Sequence, residues 1–198
     1  MTNASRIPAV PVTGVFAAIV KSVARRKLGI VPDSIGVLWQ HRPVMMDMMK
    51  FGGKTEKWPE LDQNLSTLAT MAAASTVGCS FCLDMHYFLA HDRGLDEAKA
   101  REVPIWREST RFTPRERLVM EYAEAMSQTP PVVTDELSDR LLAEIGAPAL
   151  IELAAKVGYL NATARSNIAL GIHADGFADA CGLAPLATAA PAGVASQA

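Results

Sequence analysis

The chain has 198 residues, enough to bury a core within one domain without metal or disulfide staples. Nineteen basic and twenty-one acidic residues give a net charge of -2 and a pI near 6.1, which argues against a nucleic-acid-binding surface. Hydrophobic content of 49% and a mean hydropathy of +0.14 are high for a chain with short apolar runs, so the composition predicts a subunit interface and a homo-oligomer.

Residues 1–32 are predicted to be an N-terminal helical extension. Its helix begins after Thr13 as N-cap and ends at Gly29. The apolar stripe of this helix consists of Phe16, Ile19, Val20 and Val23. The apolar run 15–20 is too short to span a membrane, and basic residues follow it, whereas in a secretory signal they precede it. Three cysteines are also too few for a secreted disulfide framework, so the sequence predicts a cytoplasmic protein without a membrane span.

Residues 33–182 are predicted to form an all-α domain, and the whole chain about six to eight helices. A helix is expected from about Asp33 to Phe51, interrupted near Pro43, with FGGKTEKWPE as the loop after it. The next helix runs from about Glu60 to Val77, where Gly78 breaks it. GLDEAKAREVP is typical of a short helix stopped by proline.

The second half of the domain contains clear helix start signals. TPRE at 113–116 predicts a capping box with proline at the first helical position. Thr134 is expected to cap a short helix that ends at Gly146, and a long helix should follow from Pro148 to about Gly176. The predicted inward face of this long helix is Ile151, Ala154, Ala155 and Leu160. Residues 183–198 are rich in Ala and Pro without periodicity and are predicted to be disordered.

The stretch CSFCLDMH places two cysteines and a histidine on one face of a helix. At about 100° per residue, Cys79, Cys82 and His86 share a face, and His91 lies well off it. This segment supplies three zinc ligands at most, and no second cysteine pair completes a closed zinc site. A three-ligand catalytic zinc remains one alternative, and no bound metal or cofactor is the favoured expectation.

A redox-active dithiol fits the spacing better. A pair three residues apart can close a disulfide only where the helix is loose, and Gly78 places Cys79 in the first turn. The helix N-terminus and the CxxC spacing both favour the reactive thiolate. His86 lies one turn beyond Cys82, so we expect an imidazolium there to stabilise thiolate and to exchange a proton. The other reading is a pair of buried structural cysteines beside a surface histidine.

The motif and two later stretches resemble the alkylhydroperoxidase D-like branch of the carboxymuconolactone decarboxylase family. These stretches are CSFCLDMH after its Gly break, FTPRERLVMEYAEAMSQTPPVVTDEL and ELAAKVGYLNATARSNIAL. The resemblance covers roughly residues 33–182. It implies a compact all-helical fold assembled as a dimer, trimer or hexamer. It also implies an oxidoreductase that reduces hydroperoxides with a dithiol and is recharged by an external lipoyl or thioredoxin-like reductant protein.

The resemblance assigns a role to each residue of the motif. Cys82 would attack the peroxide, Cys79 would resolve the sulfenic acid into a disulfide, and His86 would relay the proton. One position departs from the pattern, because the peroxidases have a glutamate twelve residues before the first cysteine and this chain has Thr67. The sequence therefore predicts a slow peroxidase unless Glu121 or Glu124 supplies the carboxylate.

The remaining candidate residues have simpler interpretations. Cys181 is expected to be a small buried hydrophobe. His41 is expected to pack or face solvent. Asn161, Arg165 and Asn167 either line a pocket or tie packed helices together. Two further functions stay open, namely a decarboxylase or other acid–base enzyme that uses a pocket histidine, and a non-catalytic redox-sensing helical oligomer.

Overall fold

The computed structural model describes residues 5–188, except for the side chains of residues 27 and 28. The regular structure of these residues is helical. The α-helices of this part are α1 (Val15–Leu28), α2 (Asp33–Leu38), α3 (Arg42–Thr55), α4 (Gln63–Val77), α5 (Ser80–Asp92), α6 (Glu97–Arg101), α7 (Pro114–Ser127), α8 (Asp135–Leu170) and α9 (Phe177–Ala180). Since residues 5–188 contain no strand, the prediction of an all-α fold is confirmed. None of these helices has both the length and the apolarity needed to cross a membrane.

Helix α4 lies at the centre of the fold and packs against α5, α7 and α8. Every residue from Leu65 to Ala74 is buried, and most of them are Ala, Ser or Thr. Small side chains let the neighbouring helices approach closely, and a helix that is apolar on all sides must be buried. Helix α4 therefore fixes the position of α5, which carries both motif cysteines.

The N-terminal segment packs on the helical body. Ala17 and Val20 of α1 join Trp39 and Met45 in a small second core. The backbone N–H of Arg6 donates to Leu170 O at 2.9 Å, and the Arg6 guanidinium donates to carbonyls 168 and 169, so Arg6 caps the C-terminus of α8. The predicted cap of α1 is wrong, because Gly14, not Thr13, is the N-cap.

Helix α3 continues through the two glycines that the sequence assigned to a loop. It ends at Thr55, beyond Gly52 and Gly53. A Cβ on Gly52 would lie 2.9 Å from the Tyr159 hydroxyl oxygen, and this hydroxyl donates to Met48 O at 2.6 Å. Gly52 thus permits close approach of α8 to α3 and does not mark a turn.

Helix α8 is interrupted at Gly146, so the expected division into a helix that ends there and a long one from Pro148 is confirmed. Gly146 has the non-helical angles φ 77° and ψ 164°, and Pro148 follows two residues later. The predicted inward face is partly wrong, since Ile151 is 70% exposed, although Leu160 is buried. The residues of α8 that are buried after the kink are Ala149, Glu152, Leu153, Lys156, Val157, Leu160, Ala164 and Asn167. The helix ends at Gly171 instead of continuing towards Gly176.

The start of the predicted disordered tail also needs correction. Leu183 is buried, the Tyr87 hydroxyl donates to Ala184 O at 2.9 Å, and Arg101 Nε donates to Pro185 O at 2.8 Å. Residues 183–188 therefore pack on α5 and α6 without regular structure. Positions 189–198 lie outside the described residues.

Candidate functional site

The two motif cysteines occupy the junction between α4 and α5. Gly78 ends α4 in the left-handed conformation, with φ 79° and ψ 26°, and its N–H donates to Ala74 O at 3.0 Å. Cys79 is the N-cap of α5, and its sulfur accepts the Cys82 backbone N–H at 3.2 Å. The two residues form a disulfide with Cα atoms 5.3 Å apart, a separation within the ordinary range for such bonds. Closure thus occurs in the first turn of α5, the place where the spacing allows it.

His86 lies one turn after Cys82 and faces inward, so it is not a surface histidine. Its side chain is buried, and its Nδ1 lies 3.5 Å from the Thr70 hydroxyl of α4. Burial, and secondarily the nearby Arg93 guanidinium, lower the pKa of His86 to about 4. In this disulfide form His86 is therefore neutral at neutral pH, and the expected imidazolium is not formed. A neutral imidazole can still accept a proton, but a pKa near 4 makes His86 a weak base at neutral pH.

At the position where the peroxidase pattern has glutamate, this chain has Thr67, whose hydroxyl makes a different set of polar contacts. Thr67 is fully buried, its hydroxyl donates to Gln63 O at 2.8 Å, and the same oxygen accepts Arg93 Nη1 at 3.1 Å. Arg93 is in turn ion-paired with Glu56 at the end of α3. The chain therefore brings a carboxylate to this region indirectly, through the guanidinium of Arg93.

Neither Glu121 nor Glu124 fills the place of that carboxylate. Glu124 accepts Trp106 Nε1 at 3.0 Å and pairs with Arg107 at 3.1 Å, and Glu121 lies 3.8 Å from the Arg140 guanidinium. Both glutamates line a surface cavity of about 540 Å³. The residues of that cavity are Arg107, Glu121, Glu124, Ala125, Gln128, Val132, Thr134, Glu136, Leu137 and Arg140, and the cysteine motif is not among them.

Asn167 of α8 reaches the motif from across the fold. Its amide nitrogen donates to Cys82 Sγ at 3.5 Å, and the residue is buried. The other two candidates in NATARSN lie elsewhere, since Asn161 donates to Ser127 Oγ and Arg165 donates to Ser127 O. The sequence proposed all three without distinguishing them, and no local spacing singles out Asn167.

A buried lysine and glutamate lie on α8 one turn apart, and the sequence did not indicate either. Glu152 accepts the backbone N–H groups of Glu60 and Leu61 at 2.9 and 3.1 Å and so fixes the loop before α4. Burial lowers the pKa of Lys156, whose charged neighbours are Glu56, Glu152 and Arg93. These charges extend the polar region behind His86 towards α8.

The segment after α8 covers α5. Asp84 accepts the N–H groups of Gly176, Phe177 and Ala178 at 2.9–3.0 Å and holds the start of α9. Burial, with the charge of Asp33 as the next cause, raises the pKa of Asp175 to about 6. One carboxylate oxygen of Asp175 is buried without a hydrogen-bond partner.

The remaining histidines and the third cysteine lie apart from this site. His41, His91 and His173 are exposed. Cys181 is free and exposed, so its prediction as a buried hydrophobe is wrong. Across residues 5–188, no group of three or more His, Cys, Asp or Glu side chains is placed to hold a metal ion.

Comparison with known proteins supports the resemblance of the motif. The family model of the carboxymuconolactone decarboxylase family matches residues 43–125. The uncharacterized protein YnjA of Escherichia coli K12 is 40% identical over 128 residues, which cover 65% of this chain and 70% of YnjA.

Solved structures share the fold at low sequence identity. A cysteine-to-alanine variant of the debrominase Bmp8, in complex with 2,3,4-tribromopyrrole, matches with a TM-score of 0.77 at 19% identity, over 89% of this chain and 96% of that one. An uncharacterized peroxidase-related protein from Ralstonia eutropha JMP134, with an alkylhydroperoxidase AhpD core, matches with a TM-score of 0.74 at 16% identity, over 87% of this chain and 94% of that one. The chain therefore belongs to the carboxymuconolactone decarboxylase family and has the fold of its alkylhydroperoxidase D-like branch.

Proposed function

We propose that the protein is a thiol-dependent peroxidase or disulfide reductase that works through Cys79 and Cys82. The observation that carries this proposal is the pairing of the two cysteines in the first turn of α5, one turn before the buried His86. The N-terminus of a helix stabilises thiolate, and a neutral imidazole can move a proton at neutral pH. The proposed nucleophile, resolving thiol and base would thus lie within two turns of one helix.

The proposed cycle conserves atoms and electrons. The Cys82 thiolate attacks a hydroperoxide, the O–O bond breaks, and Cys82 becomes a sulfenic acid while the alcohol leaves with a proton passed through His86. The Cys79 thiol then displaces hydroxide from this sulfur, which forms the disulfide and releases water. An external dithiol of the lipoyl or thioredoxin class breaks the disulfide, becomes a disulfide itself and returns two protons and two electrons.

The burial of the sulfurs limits what can react with them directly. Cys79 and Cys82 are only 1% and 2% exposed. A small hydroperoxide fits this restriction better than a bulky one. A protein reductant requires the beginning of α5 to open before its thiol can reach the disulfide.

The presence of Thr67 in place of the relay glutamate supports the proposal of a slow enzyme. Thr67 cannot move a proton as a carboxylate does, and its hydroxyl oxygen is engaged by Arg93. General acid–base groups contribute roughly 10²–10⁴-fold to rates, so their loss is measurable without abolishing turnover. His86 would then exchange its proton with Thr70 or solvent.

The same dithiol could deliver its two electrons to a carbon–halogen bond. The debrominase with this fold, solved with a brominated pyrrole, suggests this second candidate. In that reaction an aryl bromide and two thiols give the arene, one disulfide and hydrogen bromide. A brominated pyrrole should therefore be assayed beside hydroperoxides.

Cysteine replacement tests the proposal. We expect the protein to consume hydroperoxide when supplied with dihydrolipoamide or reduced thioredoxin, and Cys79→Ser and Cys82→Ser to lose this activity. Cys181→Ser is the control and should keep it, because Cys181 is exposed and outside the pair. Activity of any kind that survives both motif substitutions would point to the acid–base enzyme. A disulfide that cycles without any turnover would point to a redox sensor.

A further inference from the structure

The sulfur of Cys82 has a hydrogen-bond donor that comes from a distant part of the chain. Asn167 follows Cys82 by 85 residues, lies near the end of α8, and directs its amide nitrogen at Cys82 Sγ from 3.5 Å. Asn167 is only 8% exposed, so little water competes for this contact. A sulfur anion accepts hydrogen bonds more strongly than a disulfide sulfur, since bonds to charged groups are about twice as strong as neutral ones.

The other groups around the motif leave this stabilising role open. In the disulfide form, the Nδ1 of His86 lies 3.5 Å from the Thr70 hydroxyl, and burial lowers the pKa of His86 to about 4. Arg93 is engaged by Thr67 and Glu56. The backbone N–H of Cys82 donates to the other sulfur, Cys79 Sγ, at 3.2 Å. The amide of Asn167 is thus the side-chain donor that the structure directs at Cys82.

We propose that Asn167 stabilises the Cys82 thiolate and thereby selects Cys82 as the attacking thiol. The inference deepens the proposed function by assigning this residue to the same site. Reduction by an external dithiol breaks the Cys79–Cys82 bond and leaves two thiols, while the reductant becomes a disulfide. Cys82 then loses its proton to solvent, and the Asn167 N–H donates to the resulting anion.

Alkylation of a single thiol measures this effect directly. In a Cys79→Ser, Cys181→Ser background, Cys82 is the sole thiol, and serine is a good N-cap in place of Cys79. The rate of iodoacetamide alkylation against pH then gives the ionisation midpoint of Cys82. Asn167→Leu, of similar size but without a donor, should raise this midpoint by about one to two pH units, the effect of one hydrogen bond to a charged group.

Two further variants separate stabilisation of the thiolate from packing. Asn167→Asp keeps the shape but replaces the donor with a carboxylate, so it should raise the midpoint at least as much as Asn167→Leu. Asn161→Leu is the matched control on the same helix as Asn167, since the Asn161 amide donates to Ser127 Oγ of α7 and its loss should leave the midpoint unchanged. Thermal unfolding of each variant shows whether it is folded.

The outcomes distinguish this inference from the proposed function, because alkylation needs no peroxide. A midpoint unchanged in folded Asn167→Leu and Asn167→Asp would overturn the role of Asn167, whatever the enzyme does. A raised midpoint in a protein without peroxide turnover would uphold the role of Asn167 and reject the peroxidase. If Asn167→Leu fails to fold, the midpoint of Asn167→Asp decides.

Discussion

Burial of His86 should make the protein lose stability on mild acidification. An unfolded imidazole binds a proton near pH 6.5, whereas the folded chain binds it only near pH 4. Between these values the unfolded state holds more protons, so stability rises with pH across this window. The contribution is fully present above pH 6.5 and is lost as the pH falls through the folded pKa. The difference between the unfolded pKa of 6.5 and the folded pKa of about 4 corresponds to about 3 kcal/mol of the free energy of unfolding. About 2.5 kcal/mol of this contribution is lost between pH 7 and pH 4.5.

Chemical denaturation of the parent and of His86→Gln at both pH values measures this contribution. The parent should lose about 2.5 kcal/mol more of its free energy of unfolding between pH 7 and pH 4.5 than the variant does. Comparing the two proteins cancels the opposing effect of Asp175, whose pKa is raised to about 6. The contribution of Asp175 to stability is present below its unfolded pKa of 3.8 and is lost as the pH rises through 6. His91→Gln, an exposed position on the same helix, is the control and should behave as the parent.

An equal loss of stability in the parent and His86→Gln would refute the reasoning. It would mean that the imidazole takes up its proton in the folded chain as readily as in the unfolded chain. His86 would then carry a positive charge at the acid end of the window. Burial would then not lower the pKa of His86, and the reason given for its neutral state in the folded chain would fail.

Two further predictions concern the relay and the assembly. Thr67→Glu should raise peroxide turnover, up to about 10²-fold if the carboxylate is well placed. Arg93 is positioned to pair with the new charge. A folded variant with unchanged turnover would show that no carboxylate is needed there. Light scattering should show a homo-oligomer, since α1 exposes the apolar side chains of Phe16 and Ile19. Ile19→Glu should dissociate the oligomer. The control Arg26→Glu, at an exposed polar position, should leave it intact. A parent of 21.2 kDa in solution would contradict the second prediction.

The helices and the location of the motif could be predicted because their signals are local. The capping box of Thr113 and Glu116 forms as TPRE predicts, with both reciprocal hydrogen bonds present. Gly78 ends α4 because a left-handed residue there costs glycine little. The first-turn position of Cys79 and Cys82 follows from that glycine. Each of these features depends on a few neighbouring residues, so the amino-acid sequence is sufficient to determine it.

Errors of sequence interpretation arose where a local pattern has two tertiary outcomes. The pair Gly52–Gly53 is typical of a loop, but contact with Tyr159 keeps it in α3. Ile151 has an apolar side chain yet is exposed just after the kink at Gly146. Cys181 lies at the end of α9 and is exposed, although free cysteine is commonly buried. In each case, the neighbour that decides the outcome is distant in sequence or absent.

By itself, the sequence determined that the chain is all-helical and that a cysteine pair and a histidine lie on one face at the start of a helix. Only the tertiary structure decided the chemical state of that face. Burial by α4 makes His86 neutral, α8 brings Asn167 to Cys82, and Arg93 engages Thr67. Periodicity places side chains on a face, but pKa values and hydrogen bonds depend on which helix packs against that face, and contacts between distant segments settle this.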